Sequence, residues 1–182
     1  MANSVLNLSD LNGSNGFKIN GITANDYSGF SVSSAGDMNG DGFDDLIIGA
    51  SGADPNGSSS GQSYVVFGKS GGFTFTLNLS DLNGSNGFKI NGITAYNFSG
   101  RSVSSAGDVN GDGFDDLIIG ASGADPNGSS SGQSYVVFGK KWGFTSTLNL
   151  SALNGSNGFK INGITALDSS GSSVSKCGGC ER

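Results

Sequence analysis

The sequence predicts an all-β protein built from repeated units of short strands, and three observations support this prediction. The chain of 182 residues contains 33 Gly and only 2 Pro, and it is rich in Ser, Asn, Asp, Val, Ile and Phe, which form turns and strands rather than helices. A block of 71 residues recurs along it. Within each block, short apolar or alternating segments are separated by Gly-rich turns, and no segment predicts a helix longer than about one turn.

The repeat has two nearly identical full copies and a partial third copy. The segment that begins at Leu6 recurs from Leu77 and, with one change, from Leu148. The two full copies differ at only eight positions. We therefore divide the chain into repeat 1 (6–76), repeat 2 (77–147), a partial repeat 3 (148–175) and a non-repeat tail (176–182).

Four strands are expected in each full repeat. In repeat 1 they are Gly16–Thr23, Gly29–Ala35, Asp45–Ala50 and Tyr64–Phe67. The first alternates apolar and polar residues, as a half-exposed strand does, and the second alternates apolar residues with serines. The last two are continuous apolar runs, typical of strands covered on both faces. Asn-Gly pairs between the strands favour tight turns.

A unit of four short strands cannot bury two apolar faces alone, so the repeats must stack on one another. Four-stranded units stacked radially are the blades of a β-propeller, which closes with about 4–8 blades. Two full repeats cannot close such a ring. We therefore predict blades of four antiparallel strands in an incomplete propeller, completed by self-association or by the remainder of a longer chain.

An acidic loop lies between the second and third predicted strands of each full repeat. The two loops, 37–45 and 108–116, hold eight of the 15 acidic residues. Oxygen donors at loop positions 1, 3, 5, 7 and 9, with Gly at position 6, suit a hard cation such as Ca²⁺, which takes roughly 6–8 oxygen ligands. The predicted ligands are the side chains of Asp37, Asn39, Asp41 and Asp45 with the carbonyl of Phe43, and the side chains of Asp108, Asn110, Asp112 and Asp116 with the carbonyl of Phe114.

Other motif classes fit this loop less well. An EF-hand requires Glu at position 12, where this chain has Ile48. The nonapeptide repeat of calcium-binding β-rolls should recur every nine residues, whereas the loop occurs once in 71. A plain polar turn with solvated charge remains the alternative to a metal site.

Three segments together resemble the FG-GAP repeat of integrin α-subunit propellers and of many bacterial surface proteins. They are Gly29-Phe-Ser-Val, the loop 37–45, and the run from Asp45 to Ser51, and the resemblance covers both full repeats. Two positions depart from it, since Ser28 stands where the family has Phe and Ser51 where it has Pro. The resemblance implies propeller blades with mainly structural Ca²⁺ in the hairpin loop between the first two strands of a blade, and a role in adhesion or recognition.

The composition argues against several function classes. The chain has no His, which removes the imidazole base of most hydrolytic triads and His-ligated zinc. Nine scattered Lys and Arg in a chain of net charge −6 give no surface for a nucleic acid. No apolar run approaches the roughly 20 residues of a membrane helix, and the first residues lack the basic and apolar regions of a cleavable signal peptide.

Two further features break the repeat pattern. The tail contains Cys177 and Cys180, whose spacing matches redox motifs and half of a zinc site, but the structural context and further ligands are missing, so we interpret the tail as non-functional. Arg101 and Trp142 replace Phe30 and Gly71 of repeat 1, and we expect them to make contacts specific to repeat 2.

The sequence thus predicts a non-enzymatic calcium-binding propeller segment that mediates extracellular or cell-surface adhesion, or recognition of a protein or glycan. Ca²⁺, further copies of the chain and a protein or glycan ligand are the expected partners, and neither a nucleic acid nor a membrane span is expected. Two alternatives stay open: an accessory, non-catalytic module of an exported enzyme, and a designed or truncated repeat protein without activity of its own.

Overall fold

The structure is a computed structural model that describes residues 5–141 and 143–176. The described residues form β-strands joined by turns. The strands are β1 (Lys18–Asn20), β2 (Ser31–Gly36), β3 (Asp45–Ala50), β4 (Gln62–Val66), β5 (Thr76–Asn78), β6 (Gly87–Asn91), β7 (Ser102–Gly107), β8 (Asp116–Ala121), β9 (Gln133–Val137), β10 (Thr147–Asn149) and β11 (Gly158–Asn162). The described helices are single 3₁₀ turns at Leu8–Asp10, Leu79–Asp81 and Leu150–Ala152, far too short to cross a membrane.

Two antiparallel sheets form the two blades. Strands β2, β3, β4 and β6 lie in that order in blade 1, and β7, β8, β9 and β11 lie in that order in blade 2. The prediction of an all-β fold with blades of four antiparallel strands is confirmed. The apolar runs at 45–50 and 64–67 supply the central strands β3 and β4, as their composition indicates.

The four strands of a blade come from two repeats, which corrects the expectation that the strands of one repeat form one sheet. The outer strand β6 belongs to repeat 2 but pairs with β4 of repeat 1, and β11 of repeat 3 pairs with β9 of repeat 2 in the same way. The connection after β4 leads through β5 and a 3₁₀ turn to β6, which returns antiparallel to β4, so the next copy of the Gly-Phe-Lys-Ile-Asn segment occupies that edge.

The first predicted strand is correspondingly shorter in repeat 1. Only Lys18–Asn20 of the predicted Gly16–Thr23 is a strand, and among the described residues β1 has no antiparallel partner. It pairs instead with β5 in parallel, as β10 pairs with β6. The sequence prediction missed the short parallel strands β5 and β10.

The two blades stack face to face around the larger of two apolar clusters. This cluster joins Ile47 and Val65 of blade 1 to Val103, Leu117 and Tyr135 of blade 2. The backbones approach closely at the contact: a Cβ at Gly49 would collide with the carbonyl of Gly100, so only Gly fits there. The stacking predicted from the repeat is therefore present within the chain.

The acidic loops lie at the same end of the two blades. Each follows the first strand of its blade, β2 or β7, and leads into β3 or β8. A register shift between Ser34 and Gly36 ends the β2–β3 ladder just before the loop, and Gly36 has a φ of +70° that Gly adopts without strain. The turn from β3 to β4 lies at the opposite end of the blade.

Candidate metal centre

The loop of repeat 1 is organised by the carboxylate of Asp37. One oxygen, Oδ1, accepts hydrogen bonds from the backbone N–H groups of Gly40 (2.8 Å) and Asp41 (3.0 Å), and Oδ2 accepts one from Gly42 (2.9 Å). Gly40 and Gly42 both have positive φ, which lets the chain curl around this carboxylate. Three consecutive donors therefore converge on the residue at loop position 1.

Asn39 and Asp41 complete the polar interior of the loop. The Asn39 side chain accepts a hydrogen bond from Asp41 N (3.0 Å) and donates one from Nδ2 to Asp41 Oδ2 (2.9 Å). Asp41 Oδ1 accepts a hydrogen bond from Phe43 N (2.9 Å). Residues at positions 1, 3 and 5 thus lie together, as the spacing predicts.

The loop of repeat 2 repeats this geometry. Asp108 accepts hydrogen bonds from the N–H groups of Gly111 (2.7 Å), Asp112 (3.1 Å) and Gly113 (2.9 Å). Asn110 bonds Asp112 through both ends of its amide, at 2.9 Å and 2.8 Å, and Asp112 accepts a hydrogen bond from Phe114 N (3.0 Å). The two copies therefore have the same donors, acceptors and turns.

Asp45 and Asp116 lie at loop position 9 and are buried at the start of the following strand. The carboxylate of Asp45 accepts hydrogen bonds from Met38 N (3.1 Å) and Gly68 N (2.9 Å), and Asp116 accepts them from Val109 N and Gly139 N (both 2.9 Å). Each of these carboxylates ties its loop to the blade.

Burial raises the pKa of Asp45 to about 7, although the N–H groups of Gly68 and Met38 oppose the shift. The negative charges of Asp41 and Asp37 raise this pKa further, which indicates that the two carboxylates are close enough to repel the charge of Asp45. The pKa of Asp116 is raised for the same reasons in repeat 2, with burial again the largest cause.

The predicted ligands are thus gathered in each loop, but their carboxylates do not converge on one point. Across 5–141 and 143–176, no group of three or more Asp, Glu, His or Cys side chains is close enough to hold a metal ion. The predicted site also includes two oxygens that do not come from Asp, Glu, His or Cys side chains. They are the amide oxygen of Asn39 at position 3 and the carbonyl of Phe43 at position 7. Metal binding in this loop therefore stays a prediction.

The two loops are also linked across the blade contact. Asp115 Oδ2 accepts a hydrogen bond from Asp37 N (3.0 Å), and Asp115 N donates one to Asp37 O (3.3 Å). Lys140 N donates a hydrogen bond to Met38 O (3.0 Å), and the ring of Phe114 lies where a Cβ on Gly40 would stand. Sequence reasoning missed Asp115, because its partner lies 78 residues away and only the stacked blades bring the two together.

Of the residues expected to make contacts specific to repeat 2, Arg101 lies over the ring of Phe30 at 5.8 Å from its centroid. The two residues directly precede the first strands of blade 2 and blade 1. Trp142, Cys177 and Cys180 lie outside the described residues.

Comparison with known proteins finds one family model that matches the chain twice. The model of the FG-GAP repeat matches residues 28–66 and 99–137. Each match begins just before the first strand of a blade, includes the acidic loop, and ends with the third strand, β4 or β9. No curated protein matches the chain.

Proposed function

Because the chain contains two FG-GAP repeats, we propose that it is a calcium-stabilised, non-enzymatic pair of propeller blades that serves adhesion or recognition outside the cell. The observation that carries this proposal is the pair of acidic loops, which share one donor pattern and one hydrogen-bonded geometry. FG-GAP repeats are typically non-catalytic propeller modules. The absence of His from the sequence is in keeping with a non-enzymatic role.

The donor chemistry of each loop suits Ca²⁺. An ionised carboxylate has about four lone-pair sites, so Asp37, with three N–H donors, and Asp45, with two, retain lone pairs for a cation. The Asn39 amide now donates to Asp41 and would have to turn away for Asp41 to bind an ion. Asp37, Asn39, Asp41, Asp45 and the carbonyl of Phe43 would hold the ion in repeat 1.

A bound Ca²⁺ would offset the repulsion among the loop carboxylates and cross-link the end of β2 to the start of β3. Extracellular calcium modules have Kd values of roughly 10⁻⁴–10⁻³ M, which match the calcium available outside cells. We expect each loop to bind Ca²⁺ with a Kd in this range, in keeping with the proposed extracellular or cell-surface location. The loops at the opposite end of the blades leave exposed aromatic side chains such as Tyr27 and Tyr96 available for a protein or glycan ligand.

Thermal unfolding with calcium and with a chelator tests the metal assignment. Calcium should raise the Tm, because a ligand that binds only the folded state stabilises it. The double variant Asp41→Ala/Asp112→Ala should lose this shift. A wild-type melt that is identical in excess calcium and in EDTA would show that the loops are only polar turns.

A matched control removes two carboxylates elsewhere. Asp10→Ala/Asp81→Ala changes the net charge equally, and repeat 3 already has Ala152 at that position. This control should keep the full calcium shift. If it loses the shift as well, bulk charge rather than the loops explains the effect of calcium.

The recognition role needs its own test. The calcium-loaded chain, probed against arrays of glycans and extracellular matrix proteins, should bind a restricted set of them, and Tyr27→Ala or Tyr96→Ala should weaken that binding. Failure to bind any glycan or matrix protein would overturn the recognition role and leave the calcium proposal intact.

A further inference from the structure

The contact between the two blades buries one face of each sheet. Blade 1 contributes Ala35, Ile47 and the partly buried Ile93, and blade 2 contributes Val103 and Leu117, all in one apolar cluster. We name the blade 1 surface the trailing face and the blade 2 surface the leading face. Because the repeats are nearly identical in sequence, each blade has both kinds of face.

The leading face of blade 1 has no blade against it in this chain. Val32 is 65% exposed, whereas its equivalent Val103 is 4% exposed. Leu46 is 37% exposed, whereas its equivalent Leu117 is fully buried. Val32 and Leu46 are therefore the open part of this face, whereas Ile48 and Tyr64 on the same face are buried in the smaller apolar cluster, against Leu79 and Ile19.

The trailing face of blade 2 is open in the same way. Ile164 is 83% exposed, although its equivalent Ile93 packs on the cluster between the blades. Phe159 and Ile161 are also exposed, whereas their equivalents Phe88 and Ile90 are buried. Each open face is thus a copy of a surface that is buried elsewhere in the chain.

Polar contacts fix the register of the blade contact. Val103 N donates to Ser31 Oγ (3.1 Å), Lys140 N donates to Met38 O (3.0 Å), and Asp115 accepts from Asp37 N (3.0 Å). Blade 1 has the same residues on its leading face. Val32, Lys69 and Asp44 are its equivalents of Val103, Lys140 and Asp115. Blade 2 likewise has the equivalents of Ser31, Met38 and Asp37 on its trailing face. They are Ser102, Val109 and Asp108.

We propose that the leading face of one copy of this chain docks on the trailing face of a second copy and repeats the contact between blades 1 and 2. The occupant is a second copy because this chain itself shows how the two surfaces fit, with the same residues in the same register. The two faces differ, so the contact is heterologous and the assembly grows or closes into a ring according to the rotation between copies. Metal binding is not required.

Docking displaces two segments, one near each end of the chain, and each is replaced by a segment of the other copy. Residues 173–176 lie on β7 where β2 of the docking copy would lie, held by Val174 N to Ser102 Oγ (2.9 Å) and Lys176 N to Ser104 Oγ (3.1 Å). The Ser-Val-Ser sequence at 31–33 matches 173–175, so the incoming strand restores the contact to Ser102.

At the other end, β11 of the first copy replaces β1 beside β5 of the docking copy, since both segments read Gly-Phe-Lys-Ile-Asn. Both exchanges replace a segment by one of matching sequence. Burial of the two open apolar faces is therefore the net driving force.

A mixing experiment tests this contact with the full chain. Val32→Asp blocks only the leading face and Ile164→Asp blocks only the trailing face, and both side chains are exposed in the single chain, so folding should be preserved. Sedimentation velocity should show mass rising with concentration for the wild type, to at least a dimer by about 100 μM, and a monomer for each variant alone. An equimolar mixture of the two variants should form a one-to-one dimer and nothing larger.

Ser58→Asp serves as the control, because this exposed residue of the turn from β3 to β4 belongs to neither apolar cluster and lies at the opposite end of the blade from the acidic loops. It should assemble like the wild type. A wild type that stays monomeric at that concentration would overturn the proposal. Variants that still assemble alone, or a mixture that stays monomeric while the wild type assembles, would show that another surface forms the contact.

Discussion

Blade 1 and blade 2 have nearly the same sequence but different surroundings. Val32 and Val103 are preceded and followed by the same Ser residues, yet the first is exposed and the second is buried. The acidic loops differ in the opposite sense, since it is the loop of blade 1 that is hydrogen-bonded to its neighbour, through Asp115 of blade 2. In a stacked repeat, the neighbouring blade rather than the local sequence therefore decides what a residue contributes to stability.

Leu8, Leu79 and Leu150 extend the comparison to three copies of one position. Leu8 is 81% exposed, whereas Leu79 and Leu150 are fully buried. Leu79 packs in the cluster of blade 1 and Leu150 in the cluster between the blades. Leu8 belongs to neither cluster.

The largest expected effect on stability comes from substitutions at this leucine position. Leu79→Ala should lower the free energy of unfolding by about 2–5 kcal/mol, because it removes a buried side chain and leaves a cavity. Leu8→Ala should change it by less than about 0.5 kcal/mol, as exposed substitutions usually do. Chemical denaturation of the two variants at low protein concentration measures the difference, and equal losses would refute the comparison.

The valine pair should show a smaller contrast. Val103→Ala removes two buried methyl groups and should cost about 2 kcal/mol, since each buried CH₂ contributes about 0.8 kcal/mol. Val32→Ala should cost less than about 0.5 kcal/mol in the monomer. Denaturation of the Ile164→Asp background, in which head-to-tail docking is blocked, keeps the monomer as the reference state. A large loss for Val32→Ala in that background would mean that its open face is covered within the chain.

The aspartate pair tests the link between the loops. Asp115→Ala removes the acceptor for Asp37 N and the partner of Lys176, whose Nζ lies 3.7 Å from Asp115 Oδ1, and should cost about 1 kcal/mol. Asp44→Ala changes the equivalent residue on the open face and should be near neutral. Asp115→Asn, which keeps an acceptor oxygen, should recover part of the loss. Equal effects of Asp44→Ala and Asp115→Ala would mean that the link does not stabilise the blade contact.

The smallest expected effect is a change in pH dependence. Burial is the main cause that raises the pKa of Asp26, and the charge of Asp54 raises it further. A carboxyl whose folded pKa is raised stabilises the fold most below its unfolded pKa, and this contribution is lost as the pH rises through the folded pKa. Asp26→Asn, which copies Asn97 of repeat 2, should remove that decline. Melts across the acidic range measure it, and an unchanged pH profile would contradict the assignment to Asp26.

Much of the fold follows from the sequence, because β3, β4 and their equivalents are apolar runs bounded by turns. The composition of each sheet does not follow from it, since β6 and β11 join the sheet of the preceding repeat through contacts distant in the chain. The same limit applies to the site. The spacing from Asp37 to Asp45 predicts the gathering of the ligands, but the support from Asp115 depends on how the blades stack.

A calorimetric calcium titration tests the central claim, that the two loops are calcium sites, most directly. The wild type should bind two Ca²⁺ per chain, Asp41→Ala and Asp112→Ala should each bind one, and the double variant should bind none. Wild-type protein that binds no calcium at millimolar concentration, or a stoichiometry that the two substitutions leave unchanged, would contradict the account.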